Sequence, residues 1–336
     1  MVISKPKEDW KNGRSPSSRS IGKLRAGSSA LPVFHPSWDV LGFGAVAVDD
    51  LLYVDEFPHP DAKRPLRAKA RMGGGLAGTA LVAAARLGAR AAYCGVLDDD
   101  DLSRFTLAEL EREGVDCSLV VRQEGARPYY SAIIVVRSTG SRSILSFGEG
   151  VVVPPPEIIT AQLIGSTRVL FVDHTAMPAS LQAARLARQL SIPVVADIER
   201  DDGNDLPELL RSSDHLILGL DLALRLSGTD TPEIAVTALA ECNQGTCVVT
   251  AGERGCWYKP LGEVVSYLPA LKVEVVDTTG CGDVFHGAYA ASLARGEDVH
   301  TAVRVATIAA GLKATRPGGR AGIPRREQIA EYLSHR

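Results

Sequence analysis

The stretch from Val276 to Phe285, V-D-T-T-G-C-G-D-V-F, decides how the rest of this 336-residue sequence is interpreted. Its Asp283 directly follows Gly280, Cys281 and Gly282, and a run of small residues, H-G-A-Y-A-A-S-L-A, comes next. This pattern predicts a glycine-broken turn that enters a helix. Free backbone N–H groups and the positive end of the helix dipole make such a turn an anion site.

A carboxylate beside an anion site suits transfer of a phosphoryl group to an alcohol. The carboxylate, Asp283, would take the hydroxyl proton, while the N–H groups stabilise the charge that builds on the phosphoryl oxygens. A plain turn with a helix N-cap would give the same Gly-x-Gly-Asp string. The longer string, placed before an Ala-rich helix, favours the catalytic interpretation.

Composition and charge argue against several classes of protein. The 45% hydrophobic content and the mean hydropathy of +0.04 are typical of a globular protein with a sizeable core. No run approaches the roughly 18 apolar residues that a membrane span needs. The net charge of −3 argues against nucleic acid as a partner. The six cysteines show no C-x-x-C pair and no metal-ligand spacing, which predicts reduced thiols in a cytoplasmic enzyme.

Residues 1–36 differ in composition from the remainder. They hold seven Lys/Arg against two acidic residues, together with seven serines, so this segment is +5 and the net charge of −3 leaves −8 for the rest. The segment has no apolar core of the kind that a secretory signal contains. A disordered basic, Ser-rich extension or a misassigned start is predicted, with a transit peptide as the alternative.

The remainder, residues 37–336, is predicted to form one large α/β unit. From residue 157 onward short apolar runs alternate with helical patterns, which predicts a parallel sheet with helices on both faces. Two earlier β-rich insertions, about 46–72 and 118–148, predict a second, smaller sheet. Two long helices are expected near the C-terminus, at about 281–295 and 298–314.

Two motifs, taken together, resemble the signatures of the ribokinase-like (pfkB) carbohydrate kinases. Gly74-Gly75, the Ala-rich helix after it and Arg86-Leu-Gly88 are similar to the N-terminal signature of the family, and Asp277 to Asp283 is similar to its C-terminal signature. The resemblance covers about residues 40–330. It implies a three-layer α/β/α core with a predominantly parallel sheet, a small β-sheet lid, phosphoryl transfer from ATP with Mg²⁺, and a homodimer formed through the lid.

Within the family the sequence resembles the sulfofructose kinases in particular. The matching stretches are Gly73–Thr79 with Ala83–Ala89, then Val276–Ala288, and finally Leu312–Pro324, which is unusual among ribokinases. This branch implies an acceptor sugar with an anionic group.

The resemblance assigns roles at the reacting centre. Asp283 becomes the general base, and the backbone of Gly280, Cys281 and Gly282 becomes the anion hole. Cys281 stands where alanine is commoner, and a helix N-terminus can lower a cysteine pKa enough for a nucleophile. A small packing residue is the simpler interpretation.

Several residues are predicted to hold the sugar. Asp49 matches the family's hydroxyl-binding aspartate, and a carboxylate accepts paired hydroxyl donors well. Gly74 and Gly75 match positions beside the sugar, and Thr79 stands where ribokinases usually have asparagine. Thr79 could instead bond its own helix backbone.

Two cations, Lys63 and Arg142, match positions that hold the anionic end of sulfofructose. Charge-assisted donors bind a sulfonate or a phosphate equally well. Solvated surface charge is the alternative for both side chains, and Arg64, Arg67 and Lys69 crowd the loop that contains Lys63.

The predicted nucleotide-binding residues are glycine-rich. Thr250, Gly252 and Gly255 resemble the family's strand-then-glycine turn beside the phosphates. Gly318 and Gly319 lie where the adenine pocket of the family closes.

Two cation sites follow from the resemblance. Asp277 and Thr279 match positions that hold a monovalent cation such as K⁺ in many relatives, although a strand end with turn hydrogen bonds would explain them equally well. The family's usual Asn-x-x-Glu motif for Mg²⁺ is missing near Leu218–Leu222. Asp197 or Asp221 could replace it, because Mg²⁺ needs only one or two carboxylates.

The sequence therefore predicts an ATP- and Mg²⁺-dependent kinase that phosphorylates a primary hydroxyl of a ketohexose with an anionic C6 group. A neutral ketohexose, ribose, a 2-keto-3-deoxy sugar acid and a nucleoside remain open as acceptors. A catalytically weak sugar-binding sensor is the alternative from another class of protein. No nucleic acid or membrane partner is expected.

Overall fold

The computed structural model describes residues 36–139, 141–201, 205–243 and 245–334. The predicted N-terminal extension lies outside these residues, apart from Pro36.

Alternating buried residues build the large sheet, because successive side chains of a strand point to opposite faces. In the strand Thr167–Asp173, Val169 and Phe171 pack into one hydrophobic core, while Leu170 and Val172 pack into another. Within the described part of the chain this sheet has nine strands. In spatial order they are β15 (Ser266–Leu268), β14 (Cys256–Lys259), β13 (Thr246–Thr250), β12 (His215–Gly219), β11 (Val194–Ile198), β10 (Thr167–Asp173), β1 (Trp38–Phe43), β4 (Ala91–Tyr93) and β6 (Val115–Asp116).

In this spatial order, the seven neighbouring strands that run from β13 to β6 are parallel to one another. Strands β14 and β15 extend the sheet beyond β13 in antiparallel pairing. Helices cover both faces, so the predicted three-layer α/β/α core is confirmed. The described helices are α1 (Leu76–Arg86), α2 (Asp101–Arg112), α3 (Ala161–Gly165), α4 (Met177–Gln189), α5 (Leu206–Ser212), α6 (Leu220–Ser227), α7 (Pro232–Asn243), α8 (Cys281–Ala294), α9 (Val299–Lys313) and α10 (Arg326–Ser334). None of these described helices has the length and apolar character that a membrane crossing requires.

The predicted second sheet is also present. Its order is β3 (Ala68–Gly74), β2 (Ala47–Val54), β8 (Tyr129–Val136) and β9 (Arg142–Phe147), with β2 and β8 parallel and the outer pairs antiparallel. We call this sheet the lid.

Three details differ from the sequence-based expectation, and one of them is helix α10 (Arg326–Ser334), for which no helix was predicted. The second lid segment was predicted from residue 118, but β7 (Val121–Arg122) pairs with β5 (Val96–Leu97) in a separate two-stranded sheet, and the lid resumes only at Tyr129. Helix α6 was not predicted. It forms because Leu220, Leu222 and Ala223 give the stretch one buried face, while Gly228 ends it in the left-handed conformation.

Small residues let α8 approach α1 closely. A Cβ atom built on Gly287 of α8 would lie 2.0 Å from the carbonyl oxygen of Ala80 in α1, a distance that no real contact permits. Glycine at this position therefore fixes how α8 lies in the core, and with it the place of the residues at the start of α8.

We expect Gly287→Ala to lower the free energy of unfolding by about 1–3 kcal/mol, because the methyl group must push two packed helices apart. Denaturant unfolding followed by circular dichroism measures this. The control is Gly219→Ala, whose added Cβ would have nothing within 4 Å and should change the stability by less than about 0.5 kcal/mol. Equal effects of the two substitutions would contradict this account of the α1–α8 contact.

Candidate active site

The turn before α8 is held by the side chain of Asp277. Its Oδ1 accepts from the backbone N–H of Thr279 at 2.8 Å and from the Thr279 hydroxyl at 2.7 Å, and its Oδ2 accepts from the N–H of Gly318 at 2.8 Å. Arg142 of β9 forms an ion pair with the same carboxylate. Despite partial burial, these hydrogen bonds and the nearby Lys313 ammonium lower the pKa of Asp277 to about 2. Asp277 is therefore an ionised anchor for the turn.

The turn ends at Gly280, which has a φ of 72° and precedes the first residue of α8. Glycine adopts this left-handed conformation without strain. Asp283 thus lies in the first turn of a 14-residue helix, as the sequence predicted. The backbone N–H of Cys281 donates to the carbonyl oxygen of Thr278 at 3.2 Å, so this member of the predicted anion hole is engaged within the turn.

The thiol of Cys281 contacts helix α9. Its Sγ is 3.5 Å from the carbonyl oxygen of Ala310 in α9, and burial raises its pKa. Because the thiolate is the nucleophilic form, this environment favours the packing interpretation of Cys281 over the nucleophilic one.

Two clefts meet at Asp283. The lid cleft has a volume of about 520 Å³ and lies between the lid and the edge of the large sheet. Asp283 lines it together with Asp49, Thr79, Tyr129, Ser131, Ile144, Ser146, His174, Glu199, Arg200 and the glycines 74, 75, 280 and 319. The second cleft has a volume of about 690 Å³. Asp283 lines it as well, together with Asp197, Glu199, Asp221, Arg225, Thr250, Gly252, Arg254, Gly282 and His286.

Asp283 and Glu199 therefore face both clefts. Burial raises the pKa of Asp283 well above its ordinary value, and the negative charges of Glu199, Asp173 and Asp49 act in the same direction. The Arg320 guanidinium opposes this shift. A carboxyl group with a raised pKa is a better proton acceptor than an ordinary aspartate.

The predicted sugar residues are only partly brought together. Asp49, Gly74, Gly75 and Thr79 all line the lid cleft. Burial raises the pKa of Asp49, while hydrogen bonding to Ser131 opposes the shift. Arg142 is not among the described residues that line the cleft, but it shares one face of β9 with Ile144 and Ser146, which do line it.

Lys63 lies apart from this group. It is an exposed residue of the loop between β2 and β3, and it is not among the described residues that line either cleft.

The residues predicted to bind the nucleotide do not all line the same cleft. Thr250 and Gly252 line the second cleft. Gly255 lies at a tight turn, where a Cβ atom would be 2.2 Å from the carbonyl oxygen of Leu268. Gly318 binds Asp277, and Gly319 lines the lid cleft rather than the second cleft.

Both aspartates predicted for Mg²⁺ line the second cleft. Asp197 is buried, and its Oδ2 has no hydrogen-bond partner among the described residues, although Nδ1 of His286 is 3.4 Å away. An orphaned carboxylate oxygen beside an open cleft suits a hard cation that keeps most of its waters. The carboxylates of Asp197 and Asp221 would suit a Mg²⁺ ion, and the ion would supply positive charge to this cleft.

The predicted monovalent-cation residues do not fit a bound K⁺ ion. Both carboxylate oxygens of Asp277 already accept hydrogen bonds, and the ammonium of Lys313 donates to the backbone carbonyl oxygen of the same residue at 2.8 Å. The hydrogen bonds of the turn agree with one part of the alternative stated from the sequence, whereas no strand of the described chain ends at Asp277, because the preceding strand, β15, ends at Leu268.

Sequence reasoning missed Arg320, which lies beneath the lid cleft. This buried guanidinium donates to the carbonyl oxygen of Gly74 at 2.6 Å and contacts the hydroxyl of Thr79 at 3.4 Å. A Cβ on Gly73 or Gly78 would lie 2.1 or 2.4 Å from its nitrogens, which explains why both positions are glycine. Arg320 belongs to the Leu312–Pro324 stretch that resembles the family, but only the fold shows what this arginine contacts. Glu199, Arg225 and Arg254 were also missed, because isolated charges carry no motif.

Comparisons with known proteins agree with this architecture. The model of the family described as pfkB family carbohydrate kinase matches residues 39–326. The chain is 24% identical to a ribokinase of Haemophilus influenzae over 305 residues, which covers 87% of this chain and 97% of the relative. It is 26% identical to a ketohexokinase of Mus musculus over 286 residues, with coverages of 82% and 95%.

Solved structures give the same result. A ribokinase candidate from Agrobacterium tumefaciens superposes with a TM-score of 0.83 at 31% identity, covering 89% of this chain and 98% of that one. The ribokinase of Arabidopsis thaliana, solved with ribose and ATP, shares the fold with a TM-score of 0.77 at 22% identity, covering 89% and 99%. The chain belongs to the pfkB family of carbohydrate kinases, which are phosphotransferases that act on a hydroxyl group.

Proposed function

We propose that this protein is an ATP-dependent sugar kinase that phosphorylates a primary hydroxyl of a ketohexose-type sugar with an anionic C6 group, of which sulfofructose is the model. The sugar binds in the lid cleft and the nucleotide in the second cleft. The observation that supports this most strongly is that Asp283 lines both clefts. A base at the junction of two sites can take a proton from one ligand while a group arrives from the other.

The chemistry follows from the position of Asp283. Its carboxylate accepts the proton of the sugar hydroxyl, and its raised pKa makes that transfer more favourable. The N–H groups at the first turn of α8, with Gly282 facing the second cleft, stabilise charge on the phosphoryl oxygens. Transfer is direct and in line, and closure of the lid excludes water, which would otherwise accept the phosphoryl group.

The second cleft has the charges that a nucleotide requires. Arg225 and Arg254 line it and suit phosphate oxygens. Asp197 and Asp221 would hold Mg²⁺, which neutralises phosphate charge when it is bound. The Arabidopsis ribokinase that shares this fold was solved with ribose and ATP, which supports ATP as the donor.

The acceptor class rests on the lid cleft. Asp49 and Ser131 suit sugar hydroxyls, and Glu199 adds a further acceptor. Arg200 lines the cleft and suits an anionic group. Arg142 lies on the cleft-facing side of β9, and its guanidinium would bind the anion while it also pairs with Asp277. The exposed position of Lys63 gives its predicted role no such support.

We also propose that the protein forms a homodimer through the lid. Strand β9 is an edge strand of this sheet, and its Leu145 and Phe147 are 61% and 50% exposed. Exposed apolar side chains on a sheet edge favour pairing with another chain. A cytoplasmic location stays a prediction.

Asp283→Asn should lower kcat by roughly 10²- to 10⁴-fold, because a general base contributes about that factor to the rate. The variant should still bind ADP. A coupled assay of ATP consumption would test sulfofructose, fructose 6-phosphate, fructose, ribose, ketodeoxygluconate and adenosine. Asp230→Asn, which changes an exposed loop residue, is the matched control.

If the wild-type protein binds nucleotide but phosphorylates none of these acceptors, the result would favour a sugar-binding sensor. Turnover that survives in Asp283→Asn would remove Asp283 from the base role.

The pH profile should depend on Glu199. Asp283 must be deprotonated to act, so kcat/KM falls as the pH drops through its raised pKa. Glu199→Gln removes a negative charge that helps to raise the pKa of Asp283, and the acid limb of the profile should therefore move to lower pH. Glu241→Gln, on the exposed face of α7, should leave the limb in place. A shift toward higher pH in Glu199→Gln would contradict the assignment.

Arg142→Ala and Arg200→Ala should each reduce kcat/KM for an anionic ketohexose relative to fructose by roughly 10- to 100-fold, the range expected for a lost charge-assisted hydrogen bond. The ratio of the two acceptors is the readout, because Arg142→Ala also releases Asp277. Lys63→Ala serves as the surface-cation control and should leave the ratio unchanged. A loss of discrimination in Lys63→Ala alone would place the anionic end at the loop between β2 and β3.

A further inference from the structure

Lys313, the last residue of α9, is a lysine whose side chain is fully enclosed. Its relative exposure is 0%, and its Nζ donates to the backbone carbonyl oxygen of Asp277 at 2.8 Å. Lysine is almost never fully buried unless it is paired, because its ammonium loses its hydration. A lysine kept in this position therefore points to a role for its charge.

The surroundings of the Lys313 ammonium define that role. Burial lowers the pKa of Lys313, the negative charges of Asp277 and Asp283 oppose that shift, and the positive charge of Arg142 adds to it. The backbone carbonyl oxygen of Asp277 is the acceptor of the ammonium's hydrogen bond. The ammonium is thus bound to the backbone of the turn that leads into α8.

A free cation would find little to bind at this turn. The two carboxylate oxygens of Asp277 accept from Thr279, Gly318 and Arg142, and its carbonyl oxygen accepts from Lys313. An added K⁺ would also be repelled by the ammonium and by the guanidinium of Arg142 within a few ångströms. The chain itself supplies the positive charge.

We propose that the Lys313 ammonium is a built-in cation that holds the Asp277–Gly280 turn, so that neither the fold of this site nor its activity requires a monovalent metal ion. Lys313 is a positioning residue in this account, since it acts through the turn and not on the reacting atoms. The part that concerns turnover rests on the proposed kinase function, whereas the part that concerns the turn does not.

The first test compares the wild-type protein in KCl, NaCl and choline chloride at equal ionic strength. Both the Tm and the affinity for ADP should be the same in the three salts, and turnover should change by less than twofold. A saturable, several-fold activation by K⁺, or a Tm raised specifically by K⁺, would overturn the proposal. The Tm decides the question even if every sugar in the panel proves to be inert.

The second test uses Lys313→Met, which removes the charge and keeps a long side chain. In choline chloride the variant should have a lower Tm and weaker ADP binding than the wild type, and KCl should restore part of both. If the variant loses stability and K⁺ restores none of it, Lys313 acts only as a hydrogen-bond donor, and the proposal that it is a built-in cation is overturned. A variant indistinguishable from the wild type would do the same. If Lys313→Met does not fold, the wild-type comparison remains decisive.

Discussion

The arrangement of this site depends on the carboxylate of Asp277. It accepts hydrogen bonds from the backbone N–H and the hydroxyl of Thr279 and from the N–H of Gly318, and it forms an ion pair with Arg142. The backbone carbonyl oxygen of Asp277 accepts a hydrogen bond from Lys313. Three segments that are distant in sequence are thereby joined at one turn. Helix α8 begins directly after it, and a helix is stiff, so fixing the turn also fixes Asp283. The glycine contact between α1 and α8 restrains the same helix from its other side.

The second physical constraint is the concentration of carboxylates at one edge of the sheet. The carboxyl ends of parallel strands meet at the same edge, so Asp173 at the end of β10 and Asp197 in β11 come close to Asp283. Burial raises the pKa values of all three groups, and repulsion from neighbouring carboxylates adds to the shifts of Asp197 and Asp283. The buried Arg320 opposes this repulsion from beneath the lid cleft. Poor solvation is thus the condition that makes Asp283 a stronger base.

The sequence predicted the layered fold, the lid and the place of Asp283, because periodicity and the glycine turn are local properties. Helix α6 was missed because it is short and follows a strand without a polar side-chain cap. Arg320 and Lys313 could not be predicted. Their roles depend on contacts with Gly74 and Asp277, which lie far away along the chain. The fit of a monovalent cation at Asp277 and Thr279 could not be judged from the sequence for the same reason, since only the fold shows which oxygens are already bonded.

The most direct test of the account is a crystal structure of Asp283→Asn with a non-hydrolysable ATP analogue and the best acceptor from the panel. The account predicts the sugar in the lid cleft, with one primary hydroxyl within hydrogen-bond distance of residue 283. It predicts the nucleotide in the second cleft, with its terminal phosphate at Gly282 and on the opposite side of that residue from the sugar. Both ligands on the same side of residue 283, or a sugar hydroxyl far from it, would contradict the central claim that transfer takes place where the two clefts meet.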